Sequence, residues 1–188
     1  MKKKSPRAPK KRRALTYAEQ HNRSLKIYQN TASFLSWAGI MNFLGAVFAL
    51  FNPQGSTFYY LNFAFINWIF RSFEASGLAL NNFVLFSVLI LLIAAATGAI
   101  YILLGQLARR GYSTPLIIGT SVYLLDMVLL FFIPPYLEGP NYIQIAFIFH
   151  ALLLAMMIVS VIFYFHILHL EKVERENKTA ENNVSHEQ

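Results

Sequence analysis

Four long apolar runs limit this chain to very few folds. They cover residues 34–51, 83–104, 116–133 and 143–167. A helix needs about 20 apolar residues to cross a bilayer core of roughly 30 Å, and each run is close to that length. Because 56% of the 188 residues are hydrophobic and only 13% are charged, the runs take up nearly all of the apolar sequence. The sequence therefore predicts an all-α integral membrane protein, a bundle of four transmembrane helices without a separate soluble catalytic domain.

The positions of Lys and Arg predict how these spans are oriented. Of the sixteen Lys and Arg residues, only Arg71 falls outside the N-terminal segment, the middle loop and the C-terminal segment. Since Lys and Arg near span ends stay on the cytoplasmic side, both termini are expected in the cytoplasm of a multi-pass cell-membrane protein. The predicted regions are a basic tail with a short juxtamembrane helix, a transmembrane domain and a C-terminal tail. They span residues 1–31, 32–168 and 169–188.

The N-terminal tail is the most highly charged part of the chain. Its basic residues are expected to contact anionic lipid headgroups, and the alternatives are an acidic protein partner or nucleic acid. The predicted contact residues are Lys2, Lys3, Lys4, Lys10, Lys11, Arg12 and Arg13. With two prolines among so many like charges, this tail should be disordered. Thr16 and Glu19 then have the spacing of a capping box, which predicts a helix beginning near Tyr17.

Two further polar segments flank the spans. Between the first two spans, six of the eleven residues 58–68 are aromatic, and the polar positions recur at near-helical spacing. This pattern predicts an amphipathic helix over residues 59–73 in the outer headgroup plane, with a re-entrant hairpin or a lid over an external cavity as alternatives. A pair between Arg71 and Glu74 would lie on its polar face. After the last span, Glu-to-base pairs predict about two more helical turns, followed by a disordered end at residues 179–188.

Small residues mark where the spans are expected to contact each other. Close helix packing in lipid depends on small side chains, because apolar burial gives little drive there. Span one carries a stripe that includes Asn42 and Gly45, and span two carries one that includes Gly98 and Gly105. These residues predict a contact between spans one and two, with Asn42 donating a hydrogen bond across it.

Asp126 and His150 are the candidate functional pair. An unpaired carboxylate within a span costs several kcal/mol, so Asp126 needs a partner or a proton. The two residues lie almost equally far from the loop between spans three and four, which places them at equal depth in an antiparallel hairpin. They are predicted to form a structural hydrogen bond, with Tyr123 sharing it. The alternatives are a pair that changes protonation at an outward-facing cavity and two residues that contact a partner helix.

No motif in this sequence specifies a reaction. The chain has no cysteine, phosphate loop, nucleophile elbow or zinc signature, and His166 and His169 have no obvious third ligand. We therefore expect no catalytic residue, metal or cofactor. The leading hypothesis is a non-enzymatic subunit, accessory or scaffold of a membrane protein assembly, with other membrane proteins or further copies of this chain as partners. The alternative is a small proton-coupled transporter or channel that uses Asp126 and His150.

Overall fold

The computed structural model describes residues 15–51, 63–75, 83–132 and 140–186. Within these residues the chain is an all-α bundle, as predicted, and no strand occurs among them. The helices are α1 (Tyr17–Phe51), α2 (Ala64–Ala75), α3 (Phe83–Arg109), α4 (Ser113–Leu129, with a 3-10 turn over Leu130–Phe132) and α5 (Pro140–His186).

Four of the described helices are long and apolar enough to cross a membrane. The qualifying segments are Tyr17–Phe48, Ser87–Arg109, Ser113–Phe132 and Phe147–Ala180, which overlap the four predicted runs. Large apolar side chains are also exposed on the outside of the bundle, for example Val84 at 75%, Ile148 at 67% and Leu125 at 66%. Such a surface is typical of a membrane protein, because a soluble monomer rarely exposes a continuous apolar patch of this kind.

Helix α1 begins with the predicted capping box. The backbone N–H of Thr16 donates to Glu19 Oε2 at 2.8 Å, and the N–H of Glu19 donates to Thr16 Oγ1 at 3.3 Å. The helix then runs without a break into the first apolar run, packing against α3, α4 and α5. Continuity is possible because Ser24 and Thr31 are buried within the bundle and Thr31 donates back to the carbonyl of Ile27 at 2.8 Å.

Small residues bring α1 and α3 close together. A Cβ atom added to Gly98 would lie 2.8 Å from the carbonyl oxygen of Gly39, so neither helix could keep this separation with a larger residue. About two turns further along α3, Gly105 faces Ser36, whose hydroxyl donates to the carbonyl of Ile102 at 3.2 Å. The contact therefore follows a stripe of small residues, as expected for helices that pack at short range.

A tight turn at Gly111 reverses the chain between α3 and α4. Gly111 has φ = +98°, and its N–H donates to the carbonyl of Ala108 at 2.9 Å. The N–H of Tyr112 donates to the carbonyl of Leu107 at 3.3 Å, completing a Schellman motif. A positive φ at this position favours glycine, because other residues meet a steric penalty there.

Helix α5 is longer than the sequence predicts. It continues to His186, so the expected disorder over residues 179–188 is wrong for the described residues up to 186. Salt bridges between Lys178 and Glu174 at 3.2 Å and between Arg175 and Glu171 at 3.9 Å support the helix where it leaves the apolar run. The Thr179 hydroxyl also donates to the carbonyl of Arg175 at 2.9 Å, a side-chain bond within the same helix.

Helix α2 covers residues 64–75, and residues 59–62 of the predicted helix lie outside the described residues. Its first turn is buried among α1, α3 and α4. Phe63 is 2% exposed, Ala64 is fully buried and Ile66 is 1% exposed, whereas Trp68 is 54% exposed. A helix lying wholly in a headgroup plane would not bury its first turn inside the bundle. Its relation to a membrane surface stays a prediction, and the predicted pair of Arg71 and Glu74 lies outside the described side chains.

Candidate functional site

The Asp126 side chain binds the start of α2. Its Oδ2 atom accepts the backbone N–H of Ala64 at 2.9 Å, and its Oδ1 atom accepts that of Phe65 at 3.0 Å. The first N–H groups of any helix have no partner within that helix, and a carboxylate placed there also interacts favourably with the helix dipole. Asp126 is 6% exposed, so it is a buried N-terminal cap supplied by α4 to a helix 61 to 62 residues away in sequence.

Asn42 on α1 binds the residue that directly precedes α2. Its Oδ1 atom accepts the backbone N–H of Phe63 at 2.9 Å. Its Nδ2 atom donates to the carbonyl of Ala94 at 3.2 Å and to Thr97 Oγ1 at 3.1 Å, both on α3. Asn42 is fully buried and thus joins α1, α3 and the residue that precedes α2. The backbone N–H groups of three consecutive residues, 63 to 65, are bound by two side chains from two different helices.

Tyr123 and His150 form a second hydrogen bond in the same region. The Tyr123 hydroxyl and His150 Nδ1 are 2.6 Å apart, which joins α4 to α5. Both side chains are buried, at 0% and 1% exposure. The sequence predicts a bond between Asp126 and His150, but Asp126 contacts backbone N–H groups of α2, and His150 contacts Tyr123. The three predicted residues therefore lie in neighbouring turns but belong to two separate hydrogen-bonded groups.

Aromatic rings connect these two groups. The Phe63 ring lies 4.7 Å from that of Tyr101 and 5.9 Å from that of Tyr123, measured between centroids, and Tyr101 and Tyr123 are 6.2 Å apart. Phe63 thus inserts between α3 and α4 while its own N–H is bound by Asn42. The first turn of α2 is consequently fixed by packing as well as by hydrogen bonds.

A cavity of about 330 Å³ lies beside α2. Its lining residues come from α2, α3 and α4 and include one carboxylate. They are Phe63, Phe65, Thr97, Ile100, Tyr101, Val122 and Asp126. The volume is near the lower end of the roughly 300–1,000 Å³ found for small-molecule sites. Ile100 and Val122 are about half exposed, so the cavity opens between α3 and α4 on the apolar outer surface.

The other predicted site residues fall in two groups. Gly98 and Gly105 lie at the contact between α1 and α3, and Gly45 is buried. The basic residues of the N-terminal tail lie outside the described residues. Across the described ranges, no group of three or more His, Asp or Glu residues lies close enough to hold a metal ion.

Sequence reasoning missed the main partner of Asp126. The groups that it binds are backbone N–H groups, which leave no trace in a pattern of side chains. A signal was nevertheless present, because a carboxylate in an apolar helix needs donors, and a helix start in the preceding loop offers several unpaired ones. Thr97 and Tyr101 were also missed, since a single hydroxyl in an apolar run is too common to stand out.

Comparison with known proteins adds no family: no family model matches the chain, and neither a curated protein nor a solved structure is significantly similar to it.

Proposed function

We propose that this chain is a non-enzymatic integral membrane protein that acts as a subunit, accessory or scaffold of a larger membrane assembly. One observation carries the proposal: Asp126 and Asn42 together bind the N–H groups of residues 63–65. The most polar side chains inside the bundle are thereby used to position α2. A helix that is held so specifically, and that exposes Trp68, is suited to contact another protein.

The energetic cost of this arrangement supports a role beyond stability. Burying a carboxylate requires several kcal/mol of compensation, which here comes from the backbone N–H groups of Ala64 and Phe65. The carboxylate does, however, fix the position of one helix start, which an apolar contact would do less specifically. Tryptophan is enriched among the residues that dominate protein interfaces, and Trp68 is more than half exposed on this positioned helix.

In the proposed topology the four long helices cross the cell membrane with both termini in the cytoplasm. The turn at Gly111, with Arg109 and Arg110 before it, then lies on the cytoplasmic side, and α2 lies on the outer side. The basic N-terminal tail would rest on anionic lipid headgroups. A partner that binds α2 would therefore be a membrane protein or a second copy of this chain, approached from the outer half of the bilayer.

The experiment is site-specific crosslinking in native membranes. A photoreactive amino acid replaces Trp68, and the matched control replaces Leu125, which is similarly exposed at 66% but lies on α4. We expect a discrete adduct from position 68 and none from position 125. An adduct of twice 21.5 kDa identifies self-association, and another mass identifies a different subunit.

A second variant links the adduct to the site. Replacing Asp126 with Leu removes both acceptors for the start of α2, so the adduct from position 68 should weaken strongly, whereas Asp126→Asn keeps one acceptor and should retain most of it. Equal background crosslinking at positions 68 and 125, together with a monomer in mild detergent, would contradict the proposal.

A proton-coupled transporter or channel is the second candidate. The observation that favours it is the buried hydrogen bond between Tyr123 and His150, one helical turn from Asp126, which itself lines a cavity. Three groups able to exchange protons are thus close together. Each Asp126 oxygen already accepts a backbone N–H, however, so protonation of Asp126 would weaken its hydrogen bonds to the start of α2.

A further inference from the structure

A second cavity, of about 380 Å³, lies between α1 and α5 at the end of the bundle that carries Glu19 and Glu171. We call it the α1–α5 groove. Its lining side chains are Leu15, Gln20, Arg23, Ser24, Ile27, Phe163 and His166. Neither Arg23 nor His166 takes part in the site around Asp126.

The α1–α5 groove changes from apolar to polar along its length. Ile27 and Phe163 are partly buried and lie toward the centre of the bundle. Arg23 and His166 are exposed and lie about one turn further toward the ends of their helices. A groove with an apolar inner part and a cationic outer part matches a molecule with a hydrocarbon chain and an anionic head.

The level of the groove also matches the edge of a bilayer. The buried Tyr28 hydroxyl donates to the carbonyl of Ala108, next to Arg109. Tyr28 packs against Tyr164, with ring centroids 5.9 Å apart. Tyrosine and arginine at one level are typical of the interface, where rings sit among headgroups. Arg23 precedes Tyr28 by five residues, which places it roughly 7.5 Å further out at 1.5 Å per residue.

Arg23 has charge available for a ligand. It forms no salt bridge with any side chain in the described part of the chain. The nearest acid on its own helix, Glu19, is bound to the backbone N–H of Thr16. On α5, Glu171 contacts His21 at 3.4 Å and Arg175 at 3.9 Å. The guanidinium group therefore lies at the groove with its donors available to an anion.

We propose that the α1–α5 groove binds one anionic phospholipid, with Arg23 and His166 donating to the headgroup phosphate and Ile27 and Phe163 contacting the start of an acyl chain. Arginine suits this role because its planar donors match phosphate oxygens in pairs. The apolar inner part of the groove selects a lipid over free phosphate. This inference rests on the proposed membrane insertion, but it is independent of any partner at α2.

The test is native mass spectrometry of the full chain in mild detergent, titrated with phosphatidylglycerol, phosphatidylcholine or inorganic phosphate. The variant Arg23→Gln with His166→Gln is compared with a matched control, Lys26→Gln with His169→Gln. The control removes the same kinds of side chain from the same two helices, three residues further along, at exposed positions that do not line the groove.

We expect one phosphatidylglycerol to bind the unmodified chain, with about tenfold weaker binding in the groove variant and less than about twofold in the control. Phosphatidylcholine should bind more weakly, and inorganic phosphate should not compete. Equal losses in both variants would overturn the proposal, because they would indicate general attraction to basic residues. Equal binding of both lipids, or displacement by inorganic phosphate, would also overturn it.

Failure of membrane insertion is distinguishable from failure of lipid selection. If alkaline carbonate extracts the chain from membranes, the proposed insertion fails and the groove has no bilayer beside it. If the chain resists extraction and the groove variant still binds phosphatidylglycerol like the unmodified chain, the groove assignment alone is wrong. Thermal unfolding of both variants checks that the bundle is intact.

Discussion

The Asp126 carboxylate accepts the backbone N–H of Ala64 at 2.9 Å, and through this bond α4 caps the first turn of α2. Such a cap normally comes from a residue just before the helix. Here that position is taken by Phe63, which has no side-chain acceptor and is itself bound through its N–H by Asn42. The start of α2 is thus stabilised entirely by other helices, so its position should respond to substitutions far away in sequence.

The first prediction concerns Asp126. In Asp126→Leu the N–H groups of Ala64 and Phe65 lose their acceptors, and we expect a loss of about 1–3 kcal/mol in the free energy of unfolding. Asp126→Asn keeps an acceptor oxygen and should lose less than half as much. Denaturant titration in mild detergent measures both, with exposed Leu125→Ala as the control. A loss no larger than that of the control would mean that the cap does not stabilise α2.

The second prediction is that Asn42 and Asp126 act together. Both hold the segment from 63 to 65, so once either is lost, α2 is already displaced and losing the other should matter less. We expect the double variant Asn42→Leu with Asp126→Leu to be more stable than the sum of the single losses predicts, by at least about 0.5 kcal/mol. A double-mutant cycle in detergent measures this coupling, and strict additivity would contradict it.

The third prediction concerns the close contact of α1 and α3. In Gly98→Val, the added side chain would meet the carbonyl of Gly39, and overpacking of this kind typically costs about 1–3 kcal/mol. The control is Ala99→Val. Ala99 is adjacent to Gly98 but exposed, so a valine side chain can be accommodated there. Thermal unfolding in detergent compares them. Equal thermal unfolding midpoints for the two variants would contradict the prediction, because they would mean that α1 and α3 can move apart at little cost.

The fourth prediction is the orientation of the bundle. The chain has no cysteine, so single cysteines introduce unique labelling sites. A cysteine replacing Ser113, the first residue of α4 after the Gly111 turn, should resist an impermeant thiol reagent in intact cells, and one replacing Ser56 should react. Permeabilised cells provide the control, since both positions should then label. Reaction at position 113 in intact cells would reverse the proposed topology.

The polar contacts inside the bundle could be predicted from the sequence only in part. The similar depth of Asp126 and His150 was inferred from their distances to one loop, and in the structure His150 lies against Tyr123, three residues before Asp126 on α4. Which way each helix faces is set by packing of the whole bundle, so Tyr123 rather than Asp126 meets His150. Asn42 was expected to donate a hydrogen bond to span two, and its Nδ2 atom does donate to the carbonyl of Ala94 on α3. This contact was predictable because the small residues near Asn42 indicated which face of α1 packs against α3.

The start of α2 was beyond sequence reasoning for a different reason. Its aromatic composition is equally suited to a membrane interface and to a buried insertion, since both environments accept Phe and Trp. Only the partners of the N–H groups of residues 63–65 distinguish the two, and they lie on α1 and α4. The end of α5 was misjudged because the polar composition of residues 179–186 is typical of a disordered tail, but it is also compatible with the continuation of a helix that ion pairs already support in the preceding turns.

The last prediction separates the assembly role from proton transport. If Asp126 serves as a cap, the purified chain in liposomes should carry no proton flux under a pH gradient, and Tyr123→Phe should cost only the bond to His150, about 0.5–1.5 kcal/mol. If the group around Asp126 transfers protons, the unmodified chain should show flux, and both Tyr123→Phe and Asp126→Asn should abolish it at nearly unchanged stability. Empty liposomes and the exposed variant Leu125→Ala provide the controls. Flux that both substitutions remove while the Trp68 adduct is absent would replace the assembly proposal with the transporter, because α2 would then have a gating role and no partner.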